Sequence, residues 1–363
     1  MPFVALQRQH AALAEELTAA FERVVAANGF ILGAEVDAFE AEFAAYCGVE
    51  HAVGVSSGTA ALAIALRAAD VGPGDEVVVP AHTFVASALA VAHAGAVAVL
   101  CDVDPDTGLM DPEAAAAAVT PRTAALLPVH LYGQMCDMRA LGTLAARHGL
   151  LVVEDCAQAH GARDRRRLAG AAGDVGCFSF YPSKNLGALG DGGAICTNNP
   201  LIATRARMLR NLGQRRKGEH AVLGYNDRLH GLQAALLRVK LPHLDGWNAA
   251  RRAHAARYRE GLEGRARLLA ERPGTESVHH LLPIRVPRRD RVAVQLGKAG
   301  IQTGVHYSPA LPQQPALEGV ARQAHDCRHA RAWAAEELSL PMFAELRDAE
   351  VDRVLDVCAE LLG

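Results

Sequence analysis

The chain has 363 residues, half of them hydrophobic and 21% charged, with a formal net charge of −3. That length is long for one core, so one large and one smaller domain are expected. The near-neutral balance argues against nucleic acid or an anionic membrane as the main partner. No charged-then-apolar leader is read at the start, and eight cysteines without C-x-x-C spacing point to buried reduced thiols in a cytoplasm rather than disulfides or a metal site.

Amphipathic spacing predicts a helix over 36–46. A short strand at 52–55 leads into a helix opening at Ser57 or Gly58 and running through Ala69. A buried strand at 76–80 precedes a helix over 82–94 and a strand over 96–102. The apolar stretch 86–100 is interrupted by His93 and Gly95 and is too short to span a bilayer. A helix over 112–119, strand 124–129, helix 141–148 and strand 150–155 continue the alternation, and strands at 175–180 and 194–197 complete it. Such alternation gives an α/β fold: a large, mainly parallel sheet covered by helices on both faces. The polar stretch 213–225 reads as a mobile loop before helices over 232–241 and 248–262. After about residue 245 the pattern becomes helix, strand (278–286), helix (292–299) and terminal helix (349–362), a smaller α+β domain. Residues 1–245 and 246–363 are therefore the expected domains. In the last helix Val351, Val354, Leu355, Cys358 and Leu362 share one face.

Lys184 stands out chemically. The chain has four lysines against 33 arginines, and this one sits between the apolar run 176–180 and the loop Gly190-Asp191-Gly192-Gly193. Arginine cannot give up its proton, whereas a desolvated lysine becomes a neutral amine that attacks carbonyls. Lys217 lies in a solvated charge run; Lys240 and Lys298 sit near helix ends, where a cation suits the dipole.

Other residues gain meaning around that amine. Ser57-Gly58-Thr59 opens a helix after a strand, where unpaired N–H groups can hold a phosphate or Ser57 can serve as a simple cap. Asp155 ends an apolar strand, the end at which α/β folds place ligands, or it caps the next turn. Gln158 and His160 follow it, the latter reading as packed. Phe84 offers an aromatic face, and Ser179 a hydroxyl five residues before Lys184. Asn226 and Arg228 read alone as a polar turn. The runs 163–167 and 215–217 read as solvated faces, with contact to a substrate diphosphate left open. The second glycine cluster lacks G-x-G-x-x-G spacing, which excludes Rossmann and Walker loops.

A phosphate cradle, an aromatic plate, a strand-end carboxylate and an imine-forming lysine are together met by pyridoxal 5′-phosphate (PLP). The sequence resembles the DegT/DnrJ/EryC1/StrS sugar aminotransferases, of the PLP-dependent transferase type I fold. The resemblance is carried by Ser57-Gly58-Thr59-Ala60-Ala61-Leu62, Glu154-Asp155-Cys156-Ala157-Gln158-Ala159-His160-Gly161, Phe178-Ser179-Phe180 through Lys184 to Gly192-Gly193, and Gly224-Tyr225-Asn226 with Arg228. It implies Lys184 as the Schiff-base lysine, Asp155 at the ring nitrogen, Gln158 at the ring hydroxyl and Phe84 stacked on the ring. Gly58, Thr59 and Ser179 would bind the phosphate, and Asn226 would reach the cofactor of a second subunit in a homodimer. His306 and Tyr307 would lie near substrate. The implied reaction moves an amino group from an amino acid, L-glutamate, to a nucleotide-linked keto-sugar, with the cofactor cycling through pyridoxamine 5′-phosphate (PMP). The segment 238–248 favours a 3-keto-6-deoxy sugar over 4-keto sugars or aminocyclitols. Asp227 and Gln313-Gln314-Pro315 depart from the commoner family pattern, which bears on the sugar and not on the cofactor. A cysteine desulfurase would need a nucleophile such as Cys327, and a cofactor-pocket sensor would need no turnover.

Overall fold

The computed structural model describes residues 1–362. The strand–helix alternation closes into an eight-stranded sheet. In spatial order its strands are His51–Val55, Gly193–Thr197, Val175–Ser179, Leu151–Asp155, Thr123–Leu126, Glu76–Pro80, Val97–Cys101 and Ala321–Gln323. The five pairings from Val175–Ser179 to Ala321–Gln323 are parallel, and the two at the other end are antiparallel. Central strands read as unbroken apolar runs because helices cover both faces. Val77, Val78 and Val79 are all fully buried, each contributing about 1.5–3 kcal/mol relative to exposure. The fold is the mainly parallel α/β architecture that the sequence pattern gives.

Helix starts follow the local chemistry. Asn199 and Asp137 accept backbone N–H groups at the starts of Pro200–Arg210 and Met138–His148, replacing partners that a helix start lacks. A second core lies almost wholly beyond residue 245, with Ala5 from the start of the chain joining it. There the antiparallel strands Arg267–Leu268, Leu282–Arg285 and Glu337–Leu340 pack under the helices Leu244–Leu262 and Asp348–Leu362. The terminal helix buries Val351, Val354 and Cys358 on one face. We retain the division after residue 245 as a proposal. It falls two residues inside the helix Leu244–Leu262, and Ala321–Gln323 returns to the edge of the large sheet.

Three predicted elements differ. The helix expected from His82 begins at Ala86; just before it Ala81 is tied elsewhere, its N–H donating to Cys101 O and its carbonyl accepting from Leu311 N–H. The polar stretch 213–225 contains a small antiparallel ladder, Gln214–Arg216 with Glu219–His220, turned at the left-handed Gly218. The strand expected over 278–286 is restricted to Leu282–Arg285. His279 just before it has a positive φ of 39°, incompatible with a continuous strand.

Candidate active site

A cavity of about 410 Å³ opens at the carboxyl ends of the parallel strands and gathers most of the predicted residues. Its walls include Gly58, Thr59, Phe84, Asp155, Gln158, Ser179, Lys184, His306 and Tyr307. The strand His51–Val55 delivers the chain to Ser57, whose Oγ accepts Ala60 N–H at 3.1 Å and starts the helix Gly58–Ala68. Ser57 is thus spent as a cap, while the first helical turn faces the cavity. A Cβ at Gly58 would lie 2.6 Å from Ser179 Cβ. Only glycine lets this helix start come so close to the end of the strand Val175–Ser179.

Asp155 ends its strand at 5% exposure. Its Oδ2 accepts from Ser87 Oγ at 2.8 Å and its Oδ1 from Ala157 N–H at 3.1 Å. Burial pushes the carboxyl above its usual range, opposed by those two hydrogen bonds and by the charge of Lys184. Lys184 is held by the turn in which its N–H donates to Tyr181 O at 2.8 Å. Burial lowers its ammonium to about 8, with Asp155 pulling the other way. An amine so poised is still mostly protonated near neutral pH, but its neutral fraction there is far larger than that of an ordinary lysine.

Gln158 is fixed at both ends. Its Oε1 accepts Tyr132 N–H at 2.6 Å and its Nε2 donates to Tyr307 Oη at 2.9 Å. Tyr132 sits in the left-handed region (φ 63°), a conformation that costs about 1–3 kcal/mol for a non-glycine residue. Phe84 is 52% exposed, with its ring 5.1 Å from that of Tyr307 and tilted 45° to it. His306 stacks on Phe3 at 5.6 Å.

Some residues fall elsewhere. Asn226 is exposed and does not line this cavity; its Oδ1 accepts from Arg228. His160 is fully buried against Phe178 and Phe180, the packed position read from sequence. Cys327 is fully buried away from the cavity, and burial pushes its thiol up to about 12. It is not placed to act as the nucleophile a desulfurase needs. All eight cysteines are unpaired and buried. No described helix is long and apolar enough to cross a membrane.

Sequence reasoning missed Ser87, Tyr132, Tyr181, His280 and Phe3 as contributors to the site. Ser87 left a weak trace as a hydroxyl inside the apolar stretch 86–100. Tyr181 lies only three residues before Lys184, whereas Tyr132, His280 and Phe3 needed chain segments far apart in sequence to be brought together.

The site contains a depressed amine, a buried carboxylate across from it, a half-exposed phenyl face and a glycine-lined helix start that a Cβ would fill. A flat phosphorylated pyridine aldehyde fits all four, and the fold and site together define a PLP-dependent transferase. The chain belongs to the DegT/DnrJ/EryC1/StrS aminotransferase family, whose model matches residues 11–359. It is 48% identical to the dTDP-3-amino-3,4,6-trideoxy-alpha-D-glucose transaminase of Streptomyces venezuelae, over 99% of this chain and 96% of that one. The crystal structure of S. venezuelae DesV superposes with a TM-score of 0.97 at 48% identity, covering 99% of this chain and 98% of that one. NtdA from Bacillus subtilis, solved with bound PMP, matches with a TM-score of 0.92 at 30% identity, covering 100% of this chain and 85% of that one. The cofactor is PLP.

Proposed function

We propose that this aminotransferase moves the amino group of L-glutamate to a nucleotide-linked 3-keto-6-deoxy sugar, and that Lys184 is its catalytic lysine. The observation that carries the proposal is the pairing of Lys184 with Asp155 in one cavity. One group is lowered to about 8 by burial; the other is a buried carboxylate braced by Ser87 and Ala157.

When bound, the cofactor supplies the carbonyl that takes up the amino group and a ring that accommodates the electron pair left as the donor Cα–H bond breaks. Asp155 would hold the ring nitrogen in its protonated form. Phe84 would cover one ring face, and Gln158 would meet the ring hydroxyl while keeping its bond to Tyr132 N–H. The first turn at Gly58 and Thr59, with Ser179, would hold the phosphate. Lys184 Nζ would hold the cofactor through its carbonyl carbon and, when displaced by the donor's amine, would take the proton from the donor Cα and return it to that carbon. The sugar would enter between His306 and Tyr307.

The sugar class is supported by the similarity to the S. venezuelae transaminase, which bears a 3-amino deoxysugar in its name. It is supported also by the apolar walls at Phe3, Val4, Leu62 and Leu281, which suit a sugar with a methyl at C6. A homodimer is supported by the exposed apolar residues Phe30, Ile31, Leu189 and Leu223. The exposure of Asn226 away from its own cavity leaves it free to meet a second subunit. The deciding experiment loads the protein with PMP and offers 3-keto and 4-keto nucleotide sugars. Return of the PLP absorbance with a 3-keto member is expected; response to 4-keto sugars alone would overturn the regiochemistry.

A further inference from the structure

Behind His306 lies a short chain of polar groups with no assigned role in the reaction. Glu337 and Ser339 are fully buried on the strand Glu337–Leu340. Glu337 Oε2 accepts His306 N–H at 2.5 Å, and its Oε1 contacts Ser339 Oγ at 2.5 Å. Ser339 Oγ in turn lies 2.9 Å from His306 Nδ1. The frame around this triad is rigid. Gly304 and Ser339 exchange both backbone hydrogen bonds, at 3.1 and 2.8 Å. A Cβ at Gly304 would strike the His306 ring at 2.6 Å. Tyr132 Oη donates to His306 O at 2.5 Å, and the Phe3 ring closes the other side. His306 Nε2 has no protein partner among the described residues, and the residue lines the cavity.

A serine hydroxyl has one proton, which makes the chain directional. With Glu337 ionised, Ser339 O–H donates to the carboxylate, so Ser339 Oγ accepts from His306 Nδ1–H. Nε2 is then a bare acceptor. With Glu337 protonated, its O–H donates to Ser339 Oγ, and Ser339 O–H turns to donate to Nδ1. The ring proton then sits on Nε2, which becomes a donor. The net change is one proton added at the carboxyl, with the ring charge unchanged. The ring stays neutral throughout, because burial and the Lys184 charge lower His306 to about 4.

We propose that Glu337, acting through Ser339, is a positioning residue that sets the tautomer of His306 and so decides whether its Nε2 offers an acceptor or a donor to a sugar hydroxyl. The sugar contact rests on the reading under Proposed function; the tautomer control does not. Arg289, Arg285, Tyr132, Tyr307 and His306 are the charged and titratable groups that face the carboxyl from the packed elements. Burial outweighs the bonds from Ser339 and the His306 N–H and the charge of Arg289, and lifts Glu337 to about 8, within reach of ordinary assay conditions.

The test is nitrogen NMR of histidine-labelled holoenzyme without sugar, His306 being assigned by its loss in His306→Gln. In the native protein Nε2 is expected to be protonated below about pH 8 and bare above it. In Glu337→Gln the amide donates permanently to Ser339, so Nε2 should stay protonated at both extremes. Ser339→Ala, which keeps the carboxyl, should abolish the crossover. A single tautomer across the range in the native protein, or a crossover that survives in Glu337→Gln, would overturn the proposal. With the sugar that responds, kcat/KM should change about tenfold across the same window, the value of one hydrogen bond. That change should be lost in Glu337→Gln. A tautomer switch without any response from the keto-sugar panel would count against the substrate reading and leave the relay standing.

Discussion

Ser87 Oγ donates to Asp155 Oδ2 at 2.8 Å, joining residues 68 apart in the sequence at the floor of the cavity. Ser87 is itself buried, with Thr83 Oγ1 3.2 Å away. The bond favours the charged carboxylate against the burial that disfavours it. Ser87→Ala removes that support, so the already raised pKa of Asp155 should rise further. A carboxylate exists only above its pKa, so the acid limb of activity should move to higher pH. A hydrogen bond to a charged group is worth about 1.5–3 kcal/mol, so kcat at neutral pH should fall roughly tenfold or more. An unmoved acid limb in a pH–rate profile would show that the bond does not support the carboxylate.

Lys184 leads to a prediction that needs no sugar. Its neutral fraction grows as pH rises through about 8. Covalent capture of PLP by cofactor-free protein should therefore accelerate through that pH and level off above it. Mass spectrometry after borohydride reduction reads the adduct. Lys184→Ala should bind the cofactor without an adduct at any pH and lose nearly all turnover. A capture rate that rises only near the ordinary lysine value would mean that burial does not tune this amine.

Much of this site was legible because its parts obey local rules. The strands Glu76–Pro80 and Leu151–Asp155 are apolar runs that end where ligands bind, and Ser57 is a cap beside a glycine. Lys184 declared itself by rarity in an arginine-rich chain. The hidden parts depend on contacts without local signal. Ala81 pairs with Cys101 and Leu311, and the helix begins only at Ala86, leaving Phe84 outside it. The edge strand Ala321–Gln323 is too short and too polar to read as β, and it exists because Val97–Cys101 offers an open edge. Glu337 and Ser339 lie in a stretch for which the sequence pattern predicted no element, and the strand Glu337–Leu340 forms there by pairing with Leu282–Arg285.

Gly58 should tolerate no side chain. The Cβ of Gly58→Ala would lie 2.6 Å from Ser179 Cβ, and overpacking of this kind costs about 1–3 kcal/mol. Relief requires the helix start to withdraw from the strand end, the surface proposed to hold the phosphate. Cofactor affinity should drop about tenfold or more by absorbance titration, with a smaller effect on Tm than on binding. Equal losses in the two would locate the damage in the core instead.

Gln158 tests whether the site is held by hydrogen bonds or by packing alone. Gln158→Ala strips the partner from Tyr132 N–H, a buried donor in a left-handed residue. An unsatisfied buried donor costs about 1–3 kcal/mol, and the same change frees Tyr307 Oη, which had accepted from Gln158 Nε2. Both the 131–133 turn and the Tyr307 ring should loosen, so KM for the sugar and cofactor retention should worsen together. Gln158→Glu keeps an acceptor for Tyr132 N–H but reverses the second bond, since a carboxylate can only accept from Tyr307 O–H and so takes up the proton Tyr307 could offer the sugar. It should therefore recover stability in thermal melts while leaving the sugar KM raised. If Gln158→Glu melts as low as Gln158→Ala, Tyr132 N–H is not what Gln158 stabilises.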